Sequence, residues 1–477
     1  MVIVFRTCLT SSRVIIFWYM GVLMESNLKR ELTARQVQMI ALGGTIGVGL
    51  FLGSSSTIAW TGPSVILAYM LAGAFIFLIM RALGEMVYTH PHTGSYAKFA
   101  NDYIHPAAGF MTASSNIFNW VIVGMSEVIA VGTYMRFWWP DLPTWIPGVV
   151  VIVILTLANL ASVKMFGELE FWFASVKVIT IILMIIAGLG IILFGFGNDG
   201  TPIGFSNLWS HGGFFTNGVS GFFFALSIVF ASYIGVELIG VTAGETKDPE
   251  TNITRAINGV IWRILIFYVG AIFIIVTVYP WDQLADLGSP FVATFAKVGI
   301  TAAAAVINVV VITAAMSGCN SGIFSSSRMI YTLAEKGQMP SLFLKVNKNG
   351  IPLYTVLAVS AGIFVGIILD IVLPLFLGKD TNIFVYVYSA SVLPGMVPWF
   401  AILISHIQYR KIEADRIADH PFKMPGAPYT NYITIVMLLI VLVGMLFNDE
   451  TRVSILIGLV FLILSGIYYV VRTPKSS

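Results

Sequence analysis

Charged residues are scarce: Asp, Glu, Lys and Arg make up 10% of 477 residues, against 57% hydrophobic. Soluble domains carry about 25% charged residues, and no single soluble domain buries so large an apolar share over this length. The scarcity excludes a soluble protein and leaves an all-α integral membrane protein, with a mean hydropathy of +0.89. The net charge of +3 is small and by itself says nothing about nucleic acid; no nucleic-acid partner is expected. The two cysteines, Cys8 and Cys319, lie far apart, which excludes a disulfide framework or a thiol metal site. Catalytic signatures are also missing. The chain has no HExxH and no GxSxG, and no two carboxylates sit together in neighbouring spans as an acid/base pair. Gly47-Val48-Gly49 has the look of a dinucleotide fingerprint, but it lies inside an apolar span with no strand before it. Neither an enzyme nor a bound metal or cofactor is expected.

What the chain has in abundance is apolar runs long enough to span a bilayer. About twelve are legible, near 37–59, 63–88, 107–135, 146–163, 171–194, 218–241, 258–279, 291–322, 353–373, 383–405, 430–447 and 453–471. Basic residues alternate in density between the loops. With the N-terminus inside, the inner segments carry Lys29, Arg30, Arg35, Lys98, Lys164, Lys247, Arg255, Arg328, Lys336, Lys345, Lys348, Arg410, Lys411, Arg416, Lys423, Arg472 and Lys475. The outer segments carry little beyond Arg136, Lys379 and Arg452, so both termini are expected in the cytoplasm. The expected organisation is an N-terminal cytoplasmic segment 1–36, spans 1–5 over 37–194, spans 6–10 over 218–405, spans 11–12 over 430–471 and a tail 472–477. Residues 1–23 match a cleaved signal poorly, and Met24 reads as the natural beginning.

The first span contains Gly43-Gly44-Thr45-Ile46-Gly47-Val48-Gly49. Four glycines in seven residues disfavour an unbroken helix, since each costs about 1 kcal/mol against alanine. A break at membrane depth must be buried in protein or line a cavity. It then offers amide N–H groups to an anion and carbonyls to a cation. Close helix packing through small residues is the competing reading. The sixth span repeats the theme in Tyr233-Ile234-Gly235-Val236-Glu237. Spans 1 and 6 open two halves that cross the membrane in opposite directions, and paired interrupted segments of this kind point to a binding site.

Ionisable side chains inside spans are costly and therefore candidates for function. Lys177 either snorkels to the inner interface or serves the site. Glu237, just after the second interruption, and Glu127, mid-span 3, are each open between structural and functional roles. Arg81 and Glu85 share a helix face at i, i+4 and are expected to pair with each other. Asn308, Asn320 and Ser321 are expected to bond helix to helix.

Several segments, in order, resemble one family. They are Gly43–Gly53, Arg81-Ala82-Leu83-Gly84-Glu85-Met86, Lys164–Ala174, Gly244-Glu245-Thr246-Lys247-Asp248-Pro249-Glu250 and Asn320–Met329. Between about Leu28 and Tyr469 the chain resembles the bacterial amino acid transporters of the amino acid–polyamine–organocation superfamily. It departs from the family's Pro-Arg-Ala-Ile at Thr254-Arg255-Ala256-Ile257. The resemblance implies a leucine-transporter fold: a five-plus-five inverted repeat with two extra C-terminal helices. It implies uptake of a free amino acid from outside the plasma membrane, driven by protons rather than a cofactor. By match to the family motif, the α-carboxylate would meet backbone N–H groups of Thr45, Ile46 and Gly47, with Gly49 beside them. The α-ammonium would meet carbonyls near Phe230, Ala231 and Ile234, and Ser232 would join the side-chain pocket. Lys177 would occupy the place of a sodium ion and carry the proton, with Glu237 and Glu127 as rivals. The wording leans to small neutral substrates (alanine, serine, glycine, threonine), with aromatic or other neutral amino acids as the alternative. An amino acid sensor of the same fold is the alternative of another class. The short tail Arg472–Ser477 favours transport, because a sensor would be expected to carry a soluble signalling segment.

Overall fold

The first apolar run is two helices rather than one. In the computed structural model, which describes residues 30–472 apart from 45, 285–289, 300, 301, 378–386, 389, 418 and 448, α1 (Ala34–Gly43) stops at the glycine cluster and α2 (Val48–Thr61) resumes beyond Gly47. At the entry to α1, Gln36 Oε1 accepts the Thr33 backbone N–H at 2.9 Å, one limb of a capping box. The chain continues through α3 (Val65–Thr89), a short α4 (Ser95–Tyr103), α5 (Pro106–Met135), α6 (Trp145–Ala161) and α7 (Val163–Phe194). Proline at the first turn of α5 loses no intrahelical bond. Ser162 caps α7 by accepting the Met165 N–H at 3.0 Å, and Gly195, at φ +69°, ends it in the left-handed region.

The second interruption lies where the sequence placed it. Helix α8 (Gly218–Ala231) gives way to a turn and then to α9 (Leu238–Thr242). Gly235 sits in that turn at φ +109°, a conformation that favours glycine. Then come α10 (Pro249–Val278), with a π-helical stretch at Ile264–Gly270, α11 (Pro290–Lys297), α12 (Ala303–Glu335) and α13 (Leu353–Leu377). Last are α14 (Val392–Ile412), α15 (Tyr429–Leu446) and α16 (Asp449–Arg472). Among the described residues nine helices are long and apolar enough to cross a membrane, and α6 and α8 are shorter apolar helices. Ordered structure here is helical, apart from isolated bridges. One of these ties the two broken helices together: the Leu32 N–H donates to the Glu245 carbonyl, and the Lys247 N–H to the Leu32 carbonyl, both at 3.0 Å.

Three expectations need correction. The single span 291–322 is instead α11, a turn containing Gly299 at φ +87°, and α12, which runs on to Glu335. Arg81 and Glu85 do not pair. Glu85 accepts Arg410 Nε and Nη2 at 2.9 and 2.8 Å and the Met424 N–H at 2.6 Å. Arg81 instead donates to Asn258 and the Lys423 carbonyl and lies 3.6 Å over the Phe422 ring. Helical spacing alone could not anticipate partners supplied by α14 and the segment after it. Asn308 also stays within its own helix, donating to the Ala304 carbonyl at 2.7 Å.

Helices α5, α7 and α12 pack around the two interruptions. Phe166 of α7 stacks on Phe324 of α12 with ring centroids 3.9 Å apart, and the Tyr233 ring lies 4.5 Å from that of Tyr268.

Candidate functional site

The two interruptions meet. A Cβ on Gly235 would strike the Gly44 carbonyl, and a Cβ on Gly44 would stand 3.2 Å from Leu238 Cδ2 and 3.4 Å from the Gly235 carbonyl. At Gly235 only a residue without a side chain allows the backbones to approach so closely. Beside the crossing lies a cavity of about 30 Å³. Gly43, Gly44 and Gly47 line it from the first break, and Ala231, Ser232 and Ile234 from the second. Asn119, Trp120, Val123 and Glu127 of α5, Gly318 of α12, and Tyr388, Ser391 and Val392 complete the wall.

Three of these lining residues carry buried polar atoms with no hydrogen-bond partner: Asn119 Oδ1, Trp120 Nε1 and Glu127 Oε2. Buried polar groups are nearly always paired, and leaving one unpaired costs about 1–3 kcal/mol. Unpaired polar atoms on residues that line one cavity suit a polar ligand.

The backbone supplies the rest. Gly47 caps the amino end of α2, where free N–H groups and the helix dipole favour an anion. The Ile46 N–H is engaged, donating to the Leu42 carbonyl at 3.1 Å. Thr45 lies outside the described residues. Gly49 is in the first turn of α2. On the other break, the Phe230 and Ala231 carbonyls accept the Tyr233 and Ile234 N–H groups, both at 3.1 Å. A carbonyl has two lone pairs, so each can accept a further bond. The Phe230 side chain is fully buried, with its ring 6.3 Å from that of Phe75.

Lys177 does not snorkel. Its side chain is 0% exposed, and Nζ donates to the Gly43 carbonyl at 2.7 Å, the Ile46 carbonyl at 2.8 Å and Ser317 Oγ at 3.0 Å. An ammonium has three donors, and here all three are used. Its positive charge also caps the negative dipole end of α1. Glu237 accepts the Gly235 N–H, at 3.2 and 3.1 Å to its two oxygens, and Trp399 Nε1 at 3.0 Å. Glu127 reaches the cavity, and a Cβ on Gly318 would lie 2.7 Å from its Oε1.

Sequence reasoning passed over Asn119, Trp120, Ser317 and Glu170. Asn119-Trp120, mid-span, carried a signal of the same kind as Glu127. Glu170 stood unremarked inside a family segment. It is fully buried, accepts Ser317 Oγ, and accepts Asn320 Nδ2 at 3.3 Å. Asn320 in turn accepts Asn159 Nδ2 at 2.8 Å, so it does bond between helices as expected.

Comparison with known proteins places the chain. Residues 36–475 match the amino acid permease family. A probable threonine/serine transporter of Bacillus subtilis, YbxG, is 66% identical over 93% of this chain and 95% of its own. The D-serine/D-alanine/glycine transporter of Escherichia coli is 40% identical over 93% of this chain and 94% of its own. Among solved structures, a mutant manganese transporter of Eremococcus coleocola superposes with a TM-score of 0.62. It covers 92% of this chain and 95% of its own at 13% identity, which shows the shared leucine-transporter fold and no more. With its apolar helices, crossed breaks and polar cavity, the chain belongs to the amino acid permease family, as a multi-pass membrane transporter.

Proposed function

We propose that this permease imports small neutral amino acids, threonine and serine foremost, across the plasma membrane by proton symport. Its termini would then lie in the cytoplasm. The substrate, protons and the bilayer are its partners, and the proton gradient takes the place of a cofactor. The relatives named for threonine and serine and for D-serine, D-alanine and glycine support the substrate class.

One observation carries the coupling: Lys177 spends two of its three N–H bonds on carbonyls of the first break, which also lines the cavity. Neutral lysine has two N–H donors rather than three. Losing a proton leaves two donors for three acceptors, so either a carbonyl of Gly43 or Ile46 is released or the Ser317 bond reverses, its hydroxyl donating to the amine. Bonds from the ammonium to the break are charge-assisted and stronger than those from a neutral amine, so the hold on the break differs between the two charge states, and a proton biases a conformational equilibrium only through such a difference.

The test is uptake into proteoliposomes under an inward-directed pH gradient. Labelled threonine, serine, alanine and glycine are offered, with D-serine and phenylalanine as competitors. Threonine and serine should accumulate, and a proton ionophore should collapse the accumulation. Accumulation indifferent to the ionophore refutes proton coupling. Stronger competition by phenylalanine than by serine refutes the small-substrate reading.

A further inference from the structure

We infer that Glu170 is the proton acceptor for Lys177, reached through Ser317, and that these three side chains form the path by which the coupled proton leaves toward the amino end of α7. This rests on the proton-coupled reading above. Of the three acceptors around Lys177 Nζ, two are backbone carbonyls, which hold a hydrogen bond but do not pass a proton on. The third, Ser317 Oγ, accepts from Nζ at 3.0 Å and itself donates to Glu170 Oε1. A hydroxyl both accepts and donates, so these hydrogen bonds already run in the order a relay needs. Lys177 and Glu170 are seven residues apart on α7, roughly 10 Å along the axis, with Glu170 nearer the end that the reading places in the cytoplasm. A long helical side chain leans toward the amino end of its helix, which brings the ammonium back toward the carboxylate.

The step balances without a further reactant. One Nζ–H bond of Lys177 breaks and Ser317 Oγ gains that proton. Ser317 gives its own proton to Glu170 Oε1. The products are a neutral amine and a neutral carboxylic acid, and serine is unchanged. Two opposite charges in an apolar interior become none, which removes the desolvation cost that each charge carries there. The ionisable groups acting on this pair are each other and Glu127 of α5. The elements packed about Glu170 otherwise present uncharged groups: Gly43 of α1, Ser317 and Asn320 of α12, and Asn159 of α6 behind Asn320. Gly43 explains how the acid comes so close to the break, because a Cβ there would collide with Glu170 Oε1.

The experiment compares wild type, Glu170→Gln, Ser317→Ala, Ser317→Thr and Lys177→Met in proteoliposomes, using labelled threonine and serine. Glu170→Gln and Ser317→Ala should lose concentrative uptake to the level of Lys177→Met while still exchanging internal for external substrate. Ser317→Thr keeps the hydroxyl and should keep concentrative uptake. Glu170→Gln that concentrates substrate with the wild-type pH profile overturns the relay and leaves the coupling reading standing. Loss of substrate binding along with exchange in Glu170→Gln assigns the acid a structural role and also overturns it. Should the wild type ignore the pH gradient, the coupling reading fails. The relay is then judged by infrared difference spectra of the purified protein on acidification. A protonated-carboxyl band that is absent from Glu170→Gln and displaced in Ser317→Ala supports the connected pair, and no such band overturns it.

Discussion

At Gly47 the absence of a side chain is a matter of room for the ligand rather than for the protein. A Cβ built there meets nothing within 4 Å, although the residue lines the cavity. Gly47→Leu should therefore fold and insert normally but place its branched side chain where the substrate belongs. The expected result is loss of threonine and serine binding by calorimetry, with an unchanged thermal midpoint without substrate. Normal binding in the folded variant would remove Gly47 from the site. Gly235 is the opposite case: its φ of +109° and its approach to the Gly44 carbonyl leave no room for a Cβ. The glycines were the most legible part of the site, because backbone conformation and close approach depend on one residue at a time. Asn119 and Trp120 were legible only as polar groups inside a span; their place at the site lies in what surrounds them, a cavity whose lining leaves Asn119 Oδ1 and Trp120 Nε1 unpaired.

At the scale of elements, two contacts stand out, one holding the segment after α9 against α12 and one inside the turn before α4. Arg328 of α12 donates Nε and Nη2 to the two oxygens of Glu245, at 2.7 and 3.1 Å, with both side chains almost wholly buried. Removing one partner of such a pair strands the other charge, at a cost of about 3–5 kcal/mol. Glu245→Gln should lower the apparent melting temperature in detergent clearly, and Arg328→Met with Glu245→Met together should lower it less than either single change. A double-variant loss equal to the sum of the Arg328→Met and Glu245→Met losses would show that the pair is not energetically coupled. The second contact precedes α4, where His92 Nδ1 accepts the Gly94 N–H at 2.8 Å. Burial, and then the charges of Lys98 and Lys336, lower this histidine from 6.5 to about 4. Between those values the unfolded chain binds the proton and the folded one does not, so stability rises with pH. The contribution of neutral His92 is complete above about pH 6.5 and is lost as pH falls through about 4. His92→Asn keeps an acceptor and removes the titration, so its melting temperature should fall less than wild type over this window. Parallel curves would refute the assignment. Helix α4 itself was not legible as a span, being short and amphipathic. The joined span 291–322 was over-read because apolar content cannot locate the turn that Gly299 makes between α11 and α12. Arg81 and Glu85 were paired by their spacing on one helix, whereas Glu85 finds Arg410, 325 residues on. Long-range partners of that kind are set by the fold and leave no local trace.

At the scale of the whole molecule, the arrangement makes one side chain report to both halves of the bundle. Lys177 stands on α7, bonds the junction between α1 and α2, and touches α12 through Ser317. A carrier that couples two fluxes must have an unloaded return step distinguishable from its loaded one, and a group with two charge states at this junction can distinguish them. Lys177→Met keeps most of the apolar length and removes all three donors. It should abolish accumulation against a gradient, while exchange of labelled for unlabelled substrate persists, because exchange never returns an empty carrier. Lys177→Arg retains a permanent cation, since arginine stays protonated throughout the accessible range. It should hold the break closed and slow both modes, without restoring pH dependence. The measurement is concentrative uptake against exchange in the same vesicles at a series of external pH values. If Lys177→Met still accumulates threonine or serine with the wild-type pH profile, the lysine is a structural cap on α1 and coupling passes to an acid. Glu127 is then the first to change to Gln, because its Oε2 is unpaired at the cavity, whereas Glu237 is already bonded by the Gly235 N–H and Trp399 Nε1.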